Sequence, residues 1–260
     1  MLISFPSAAE NITLAQDPWP PITSENLEGE ALATVIVSTA LRNANYNPVV
    51  KTIPWKRALF EVETIKSDAI VAAYYNDKRA QIYDYSAPYL ITPVLFLKRK
   101  DADINFQSLK DLEGYRIGYV RGTSSGNEFD NADYLNKVEL NNPSTVIRML
   151  YKKRIDIAPF TSVVGTHLIN TEFPAWRQEL EYFGPPIQTL HYYLMVGKKH
   201  PKGLEILTRF NTEVTKMIKA GKIRKIIEKN NLQDAFPEKG ARSRTEPELD
   251  VPPGPAGDSS

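Results

Sequence analysis

The feature that most constrains this chain is the run Ala69-Ile70-Val71-Ala72-Ala73-Tyr74, which has strand length and no polar alternation. A strand wetted on one face alternates; a continuous apolar run needs cover on both faces, as in a sheet sandwiched by helices. Just before it, Trp55, Ala58, Leu59, Val62 and Ile65 recur at three- and four-residue spacing, the mark of a helix with one apolar face. A helix feeding a doubly buried strand predicts an α/β fold. Such sheets bind ligands just outside the carboxyl ends of their strands. The polar loop Asn76-Asp77-Lys78-Arg79 follows directly, so Arg79 stands where an anion would be captured.

The same alternation extends along the chain. Ile12–Ala15 reads as a first strand, and the prolines of Asp17-Pro18-Trp19-Pro20-Pro21 then force a stiff loop carrying Trp19. A helix over about 31–43 and a strand over Val49–Ile53 come next. Pro93–Leu97 reads as a strand ending in the charged run Lys98–Asp101, where the chain is expected to leave its first lobe. Ser108–Leu112 reads as a short helix with Ser108 as N-cap, and Gly114–Val120 as a strand. The loop Arg121-Gly122-Thr123-Ser124 fits no nucleotide-binding spacing, yet offers N–H groups and hydroxyls to an anion. Arg121 either adds positive charge there or covers the surface. Asn142-Pro143 opens a helix with Val146, Met149 and Leu150 inward. The segment Arg154–Thr161 repeats the logic of the one that starts at Asp68. Phe183–Pro186 reads as a return crossing and His191–Val196 as a strand. A helix over about 203–220 carries Leu204, Leu207, Phe210, Val214, Met217 and Ile218 on one stripe, and Gly221 ends it before a shorter helix with Ile223, Ile226 and Ile227. From 234 to 260, prolines and charges without apolar period predict a disordered tail.

Composition removes several function classes. With 32 basic and 31 acidic residues in 260 there is no nucleic-acid or membrane-surface footprint, and no apolar run approaches the ~18 residues of a membrane span. The absence of cysteine excludes disulfides, thiolate metal sites and cysteine nucleophiles. The three histidines lack metal-ligand spacing, and no G-x-S-x-G or H-E-x-x-H motif occurs. Asp68 and Asp156 sit at helix–strand junctions, where a turn-stabilising role is expected. Ser7-Ala8-Ala9 resembles the end of a secretory signal; residues 1–11 read equally as a signal remnant or a frayed terminus.

Three segments in order, Asp68-Ala69-Ile70, Asp77-Lys78-Arg79 and Tyr85-Ser86-Ala87-Pro88-Tyr89, resemble the signature of the family 3 solute-binding proteins. Glu28-Gly29-Glu30 and the segment from Ala220 match it too. The resemblance implies an α/β, two-lobe, type II periplasmic binding protein-like fold, with discontinuous lobes (12–98 plus 188–233, and 99–187) joined by a two-strand hinge. It implies a monomeric periplasmic protein that captures a small anionic or zwitterionic, amino-acid-like molecule between its lobes. An ABC transporter permease in the inner membrane would be its partner, with no cofactor, metal or catalysis. By the same resemblance, Trp19, beside Asp17, would stack on the ligand and Trp55 would touch it. Ala73, Tyr74 and Tyr75 would replace polar contacts by a more aromatic wall, and Gly122, Thr123 and Ser124 would grip a carboxylate. Members that bind α-amino acids carry an acidic residue near the place of Thr161. Its neutrality argues against a standard α-amino-acid ligand. Two other readings stay open: an enzyme on the same fold, as in cyclohexadienyl dehydratases, and a sensory receptor without a transporter.

Overall fold

The structure, a computed structural model, describes residues 9–26, 31–75, 77–123 and 125–235. In chain order its elements are β1 (Glu10–Gln16), α1 (Leu32–Asn43), β2 (Tyr46–Thr52), α2 (Trp55–Glu63), β3 (Ala69–Ala73), α3 (Asp77–Ala80), β4 (Tyr83–Tyr85) and β5 (Leu90–Arg99). There follow β6 (Ile117–Val120), α4 (Asn127–Asp130), β7 (Lys137–Leu140), α5 (Pro143–Tyr151), β8 (Ile157–Thr161), α6 (Ser162–Glu172), β9 (Leu180–Gly197), α7 (Gly203–Lys219) and α8 (Lys222–Lys229). The described residues form two compact units. One holds residues up to Leu90 with His191–Asn230; the other holds Ile91–Leu190 with the residues from Asn231. The chain therefore changes unit near 90 and 190, where 98 and 188 were expected. β5 is committed to the second unit by its pairing with β8 from Val94 to Lys98.

In the first unit the strand order is β2-β1-β3-β9, with β4 also on β9. β1 is parallel to β2 from Glu10↔Tyr46 to Gln16↔Thr52 and parallel to β3 at Leu14↔Ala69, while β9 runs antiparallel to β3. Every residue of β3 is buried. α2 packs on β1 and β3, α1 on β2 and β3, and α7 and α8 lie against α1. A core of Ala15, Ala58, Val62, Ile70, Tyr83 and Met195 joins α2 to the sheet. The Tyr85–Tyr89 segment is fastened by polar bonds. The Ser86 amide donates to Leu194 O (2.9 Å), the Leu194 amide to Ser86 Oγ (3.0 Å), and the Tyr89 hydroxyl to Val71 O (2.9 Å).

In the second unit the order is β5-β8-β6-β7, with β6 parallel to both neighbours. Its core has two parts, one around Phe96, Phe106, Leu112 and Phe129, the other around Ile147, Leu150, Ile155 and Phe160.

Several expectations are corrected. α2 stops at Glu63, because the carbonyl of Glu61 receives the amides of Lys66 and Ser67 (2.7 and 3.2 Å) and Ile65 turns to φ 60°. Ile65 is therefore exposed and off the apolar face. Asp77–Arg79 is helical, not a loop. β6 begins only at Ile117, since Gly114 adopts φ 95° in a turn. On α5 the buried residues are Val146, Ile147 and Leu150, with Met149 only partly buried. Phe183–Pro186 and His191–Val196 belong to one 18-residue strand, β9. Leu204 is 82% exposed, and Ile206 takes its place in the core. Ser7, Ala8, Glu28-Gly29-Glu30, Asn76, Ser124 and residues 236–260 lie outside the described residues.

Candidate ligand site

Because β1, β2 and β3 are parallel, they end on one edge of the sheet, and each delivers part of the candidate site there. Asp17 and Trp19 follow β1, Trp55 opens α2 after β2, and Ala73 ends β3. Tyr74 and Tyr75 come next, with Arg79 in α3.

The proline loop is closed on itself. The Trp19 amide donates to Thr23 O (2.8 Å), Trp19 O accepts the amides of Ile22 and Thr23 (2.8 and 3.0 Å), and the Thr23 hydroxyl donates to the carbonyl of Asp17 (2.7 Å). The half-buried Trp19 ring stands edge-on to Tyr74 at 5.3 Å and tilted against Tyr192 at 5.7 Å. Tyr74 and Tyr192 lie 5.0 Å apart, and the Tyr74 hydroxyl donates to that of Tyr192 (3.1 Å). Burial, reinforced by the Tyr192 phenol, drives the Tyr74 phenol far above its ordinary value, so it stays neutral. This trio is a rigid aromatic wall.

Beside it, the Arg79 guanidinium lies over the Trp55 ring at 5.4 Å. Stacking engages the face of the guanidinium, whereas its donors lie in its plane, the geometry that receives a carboxylate. Tyr75, 55% exposed, belongs to a separate group with Tyr85 (5.2 Å), which in turn contacts Tyr193 (5.7 Å). Asp17 is half-buried, and desolvation, only partly offset by a bond from its own amide, raises its carboxyl above the ordinary range. No cation among the described residues pairs with it. A desolvated carboxylate without a cation partner among the described residues is suited to an ammonium.

In the second unit, β6 and β8 are likewise parallel and lead to Arg121–Thr123 and to Thr161. The Arg121 guanidinium is held by Glu139 on β7, so its charge is already matched, and the same bond and the Tyr119 hydroxyl hold the Glu139 carboxyl low. Gly122 is exposed at φ 72°. The amide and hydroxyl of Thr123 both donate to Val120 O (3.2 and 2.8 Å), so neither donor points elsewhere. Thr161 is half-buried at the start of α6.

The structure thus brings Trp19 to Tyr74 and Trp55 to Arg79, and places Tyr75 with a different group. Tyr192, Tyr85 and Tyr193 were missed from sequence. The signal was a size mismatch: Ala73 pairs with Tyr193 across the ladder, and small residues on β3 leave room for rings from β9. Among the described residues no group of acids and histidines could hold a metal, and no helix is long and apolar enough to cross a membrane.

Comparison with solved structures gives the fold. The second substrate-binding domain of Lactococcus lactis GlnP in its open conformation superposes with a TM-score of 0.69 at 20% identity, covering 88% of this chain and 97% of that one. The unliganded, open L-cystine solute receptor of Neisseria gonorrhoeae gives 0.71 at 16% identity, covering 87% and 95%. The second substrate-binding domain of a putative amino acid ABC transporter from Streptococcus pneumoniae gives 0.68 at 18%, covering 84% and 99%. The fold is that of type II periplasmic binding proteins. No curated protein matches the sequence. Residues 14–233 match the family described as bacterial extracellular solute-binding proteins, family 3, and the chain belongs to that family.

Proposed function

We propose that this protein is a monomeric periplasmic receptor for an ABC importer, and that it captures a small anionic or zwitterionic, amino-acid-like molecule with an apolar or aromatic portion. The observation that carries the reading is the guanidinium of Arg79 laid on Trp55 at the carboxyl edge of the first unit's sheet. The planar donor set of a guanidinium matches a carboxylate, which supports an anionic group on the ligand. The Trp19–Tyr74–Tyr192 wall supplies apolar surface, and Asp17 supplies a place for an ammonium. Solved structures of the same fold, one a substrate-binding domain of a putative amino acid ABC transporter and one an L-cystine solute receptor, support the amino-acid-like class. These groups bind and orient; the reading assigns them no bond-breaking step.

A thermal-shift screen over amino acids, dicarboxylates, polyamines and aromatic acids tests it, because a ligand that binds only the native state raises the melting temperature. Arg79→Ala should abolish the shift given by an anionic or zwitterionic hit. A full shift retained in that variant rejects the role of Arg79.

A further inference from the structure

Charge balance over the whole chain predicts no membrane-surface footprint, yet the balance does not hold locally. Residues 219–229, the end of α7 and the whole of α8, carry five cations and one acid, Glu228. The formal net charge of the chain is only +1, so the remainder is net negative. Positive charge is therefore concentrated at the last two helices of the first unit.

Lys219, Lys222, Arg224, Lys225 and Lys229 are all exposed, and none forms an ion pair among the described residues. The other acids of α7 are already taken: Glu213 holds Lys216 and Glu205 holds Arg209, each at 2.7 Å. α1, which packs on both α7 and α8, contains no acid. On α8, Ile223 is buried, and Ile226 and Ile227 are half-buried. At about 100° per residue, Lys222, Lys225 and Lys229 fall within ~60° of arc, centred about 130° from Ile223. They line roughly 10 Å of the helix, with Ile226 at their border.

Cations strung along a helix do not converge on one small anion, whereas an extended negative surface meets several at once. Single-stranded nucleic acid is held by stacking rings as well as cations, and residues 211–235 contain no aromatic residue. A lysine stripe bordered by isoleucine on an amphipathic helix fits acidic headgroups instead. We propose that α8 and the end of α7 form a docking surface for an anionic phospholipid bilayer. The headgroup phosphates meet Lys219, Lys222, Lys225 and Lys229. Ile223 keeps α8 fastened to its unit, so the contact is electrostatic and reversible. It involves no residue of the site at Arg79. Under the importer reading, it keeps the receptor at the surface in which its partner lies.

The test is co-sedimentation of the full chain with vesicles of phosphatidylglycerol and phosphatidylcholine in equal parts, against phosphatidylcholine alone. Binding to the acidic vesicles only is expected. It should be lost between about 0.1 M and about 1 M salt, as the screening length falls from ~10 Å to ~3 Å. Each lysine near an acidic surface contributes about fivefold in partition. The combined Lys222→Gln, Lys225→Gln and Lys229→Gln variant should therefore bind about a hundredfold more weakly. Lys56→Gln, Lys100→Gln and Lys152→Gln together change net charge equally at exposed lysines elsewhere, and should bind nearly as the parent does. Failure to bind acidic vesicles overturns the proposal, including the case in which acids within residues 236–260 shield the patch. Equal loss in both variants also overturns it, because net charge alone then drives binding. Duplex DNA is run in parallel; if it alone is bound, the partner is nucleic acid and the proposal fails.

Discussion

Asp68 holds Thr13 by both ends of a backbone pair: its amide donates to Thr13 O (2.8 Å), and its Oδ2 accepts the amide of Thr13 (2.6 Å). His200 completes the clamp with Nε2 2.9 Å from Asp68 Oδ1. The Lys202 amide donates to His200 Nδ1, so that nitrogen carries the lone pair and Nε2 the proton. In the second unit, Asp156 treats Arg116 in the same way, its amide donating to Arg116 O (2.8 Å) and its Oδ2 accepting the Arg116 amide (2.8 Å). Each aspartate stands where a helix turns back into a buried strand, and each fixes the neighbouring parallel strand in register.

Asp156 also receives the Arg116 side chain, Nε at 3.1 Å and Nη2 at 2.8 Å, and this pairing is the main cause that holds its carboxyl below the ordinary value near 3.8. A lowered folded value means that the contribution is present above the unfolded value and lost as pH falls through the folded one. Asp156→Asn should cost about 1–2 kcal/mol at neutral pH, the lower part of the charged hydrogen-bond range because water reaches the pair. Urea melts of both proteins should show this gap narrowing below pH ~3.8. A gap unchanged down to the most acidic measurable pH would mean that the carboxylate charge contributes nothing.

Where one physical rule acts alone, the sequence was legible. β3 is buried along its whole length, as its unbroken apolar run demands, and Gly221 takes φ 65° between α7 and α8, as a helix stop requires. Legibility failed where two rules compete or where tertiary packing chooses. Ile65 continues the spacing of α2, but the bonds to the carbonyl of Glu61 close the helix first. Arg79 was placed after β3 by sequence order, whereas its seat on Trp55 joins segments 24 residues apart (79 − 55) that no periodicity connects. Thr123 reads from sequence as a free donor, whereas tertiary structure turns both of its donors to Val120 O.

Leu204 gives a direct test of such a misreading. At about 100° per residue, Gly203, Ile206, Leu207, Phe210, Val214 and Met217 share one face of α7, and Leu204 stands about 100° from Gly203. It is 82% exposed, whereas Ile206 is 2% exposed. Leu204→Ser should change stability by no more than about 0.5 kcal/mol, and Ile206→Ala should cost about 2–5 kcal/mol. Chemical denaturation midpoints separate the two, and equal losses would contradict the packing of α7.

Gly184 marks the one place on β9 where the strand needs a glycine twice over. Its φ is 70°, and an added Cβ would fall within the ring of Phe106, itself packed on Phe96 and Phe183. Gly184→Ala should destabilise by about 2–4 kcal/mol, since left-handed backbone strain adds to overpacking. A melting temperature within error of the parent would show that the aromatic cluster yields freely.

The pH dependence of ligand capture tests Asp17, and its sign follows from burial. Desolvation raises the carboxyl above its ordinary value near 3.8, so in the empty protein it keeps its proton to higher pH than a solvent-exposed aspartate does. An arriving ammonium is attracted to the carboxylate form alone, so proton and ligand compete for one group. Affinity for a zwitterionic ligand should therefore rise with pH as Asp17 ionises and level off once it is fully ionised. The dependence of log Kd on pH should approach a slope of about one proton in the falling limb. Asp17→Asn removes the titrating group at nearly constant volume. It should bind more weakly at neutral pH, by about tenfold for one charge-assisted contact, and show no slope. An anionic ligand without an ammonium should show the opposite trend in the parent, because a protonated Asp17 repels it less. Calorimetric titrations at several pH values on both proteins read all of these outcomes. A slope that persists in Asp17→Asn would assign the proton to another group and remove Asp17 from the site.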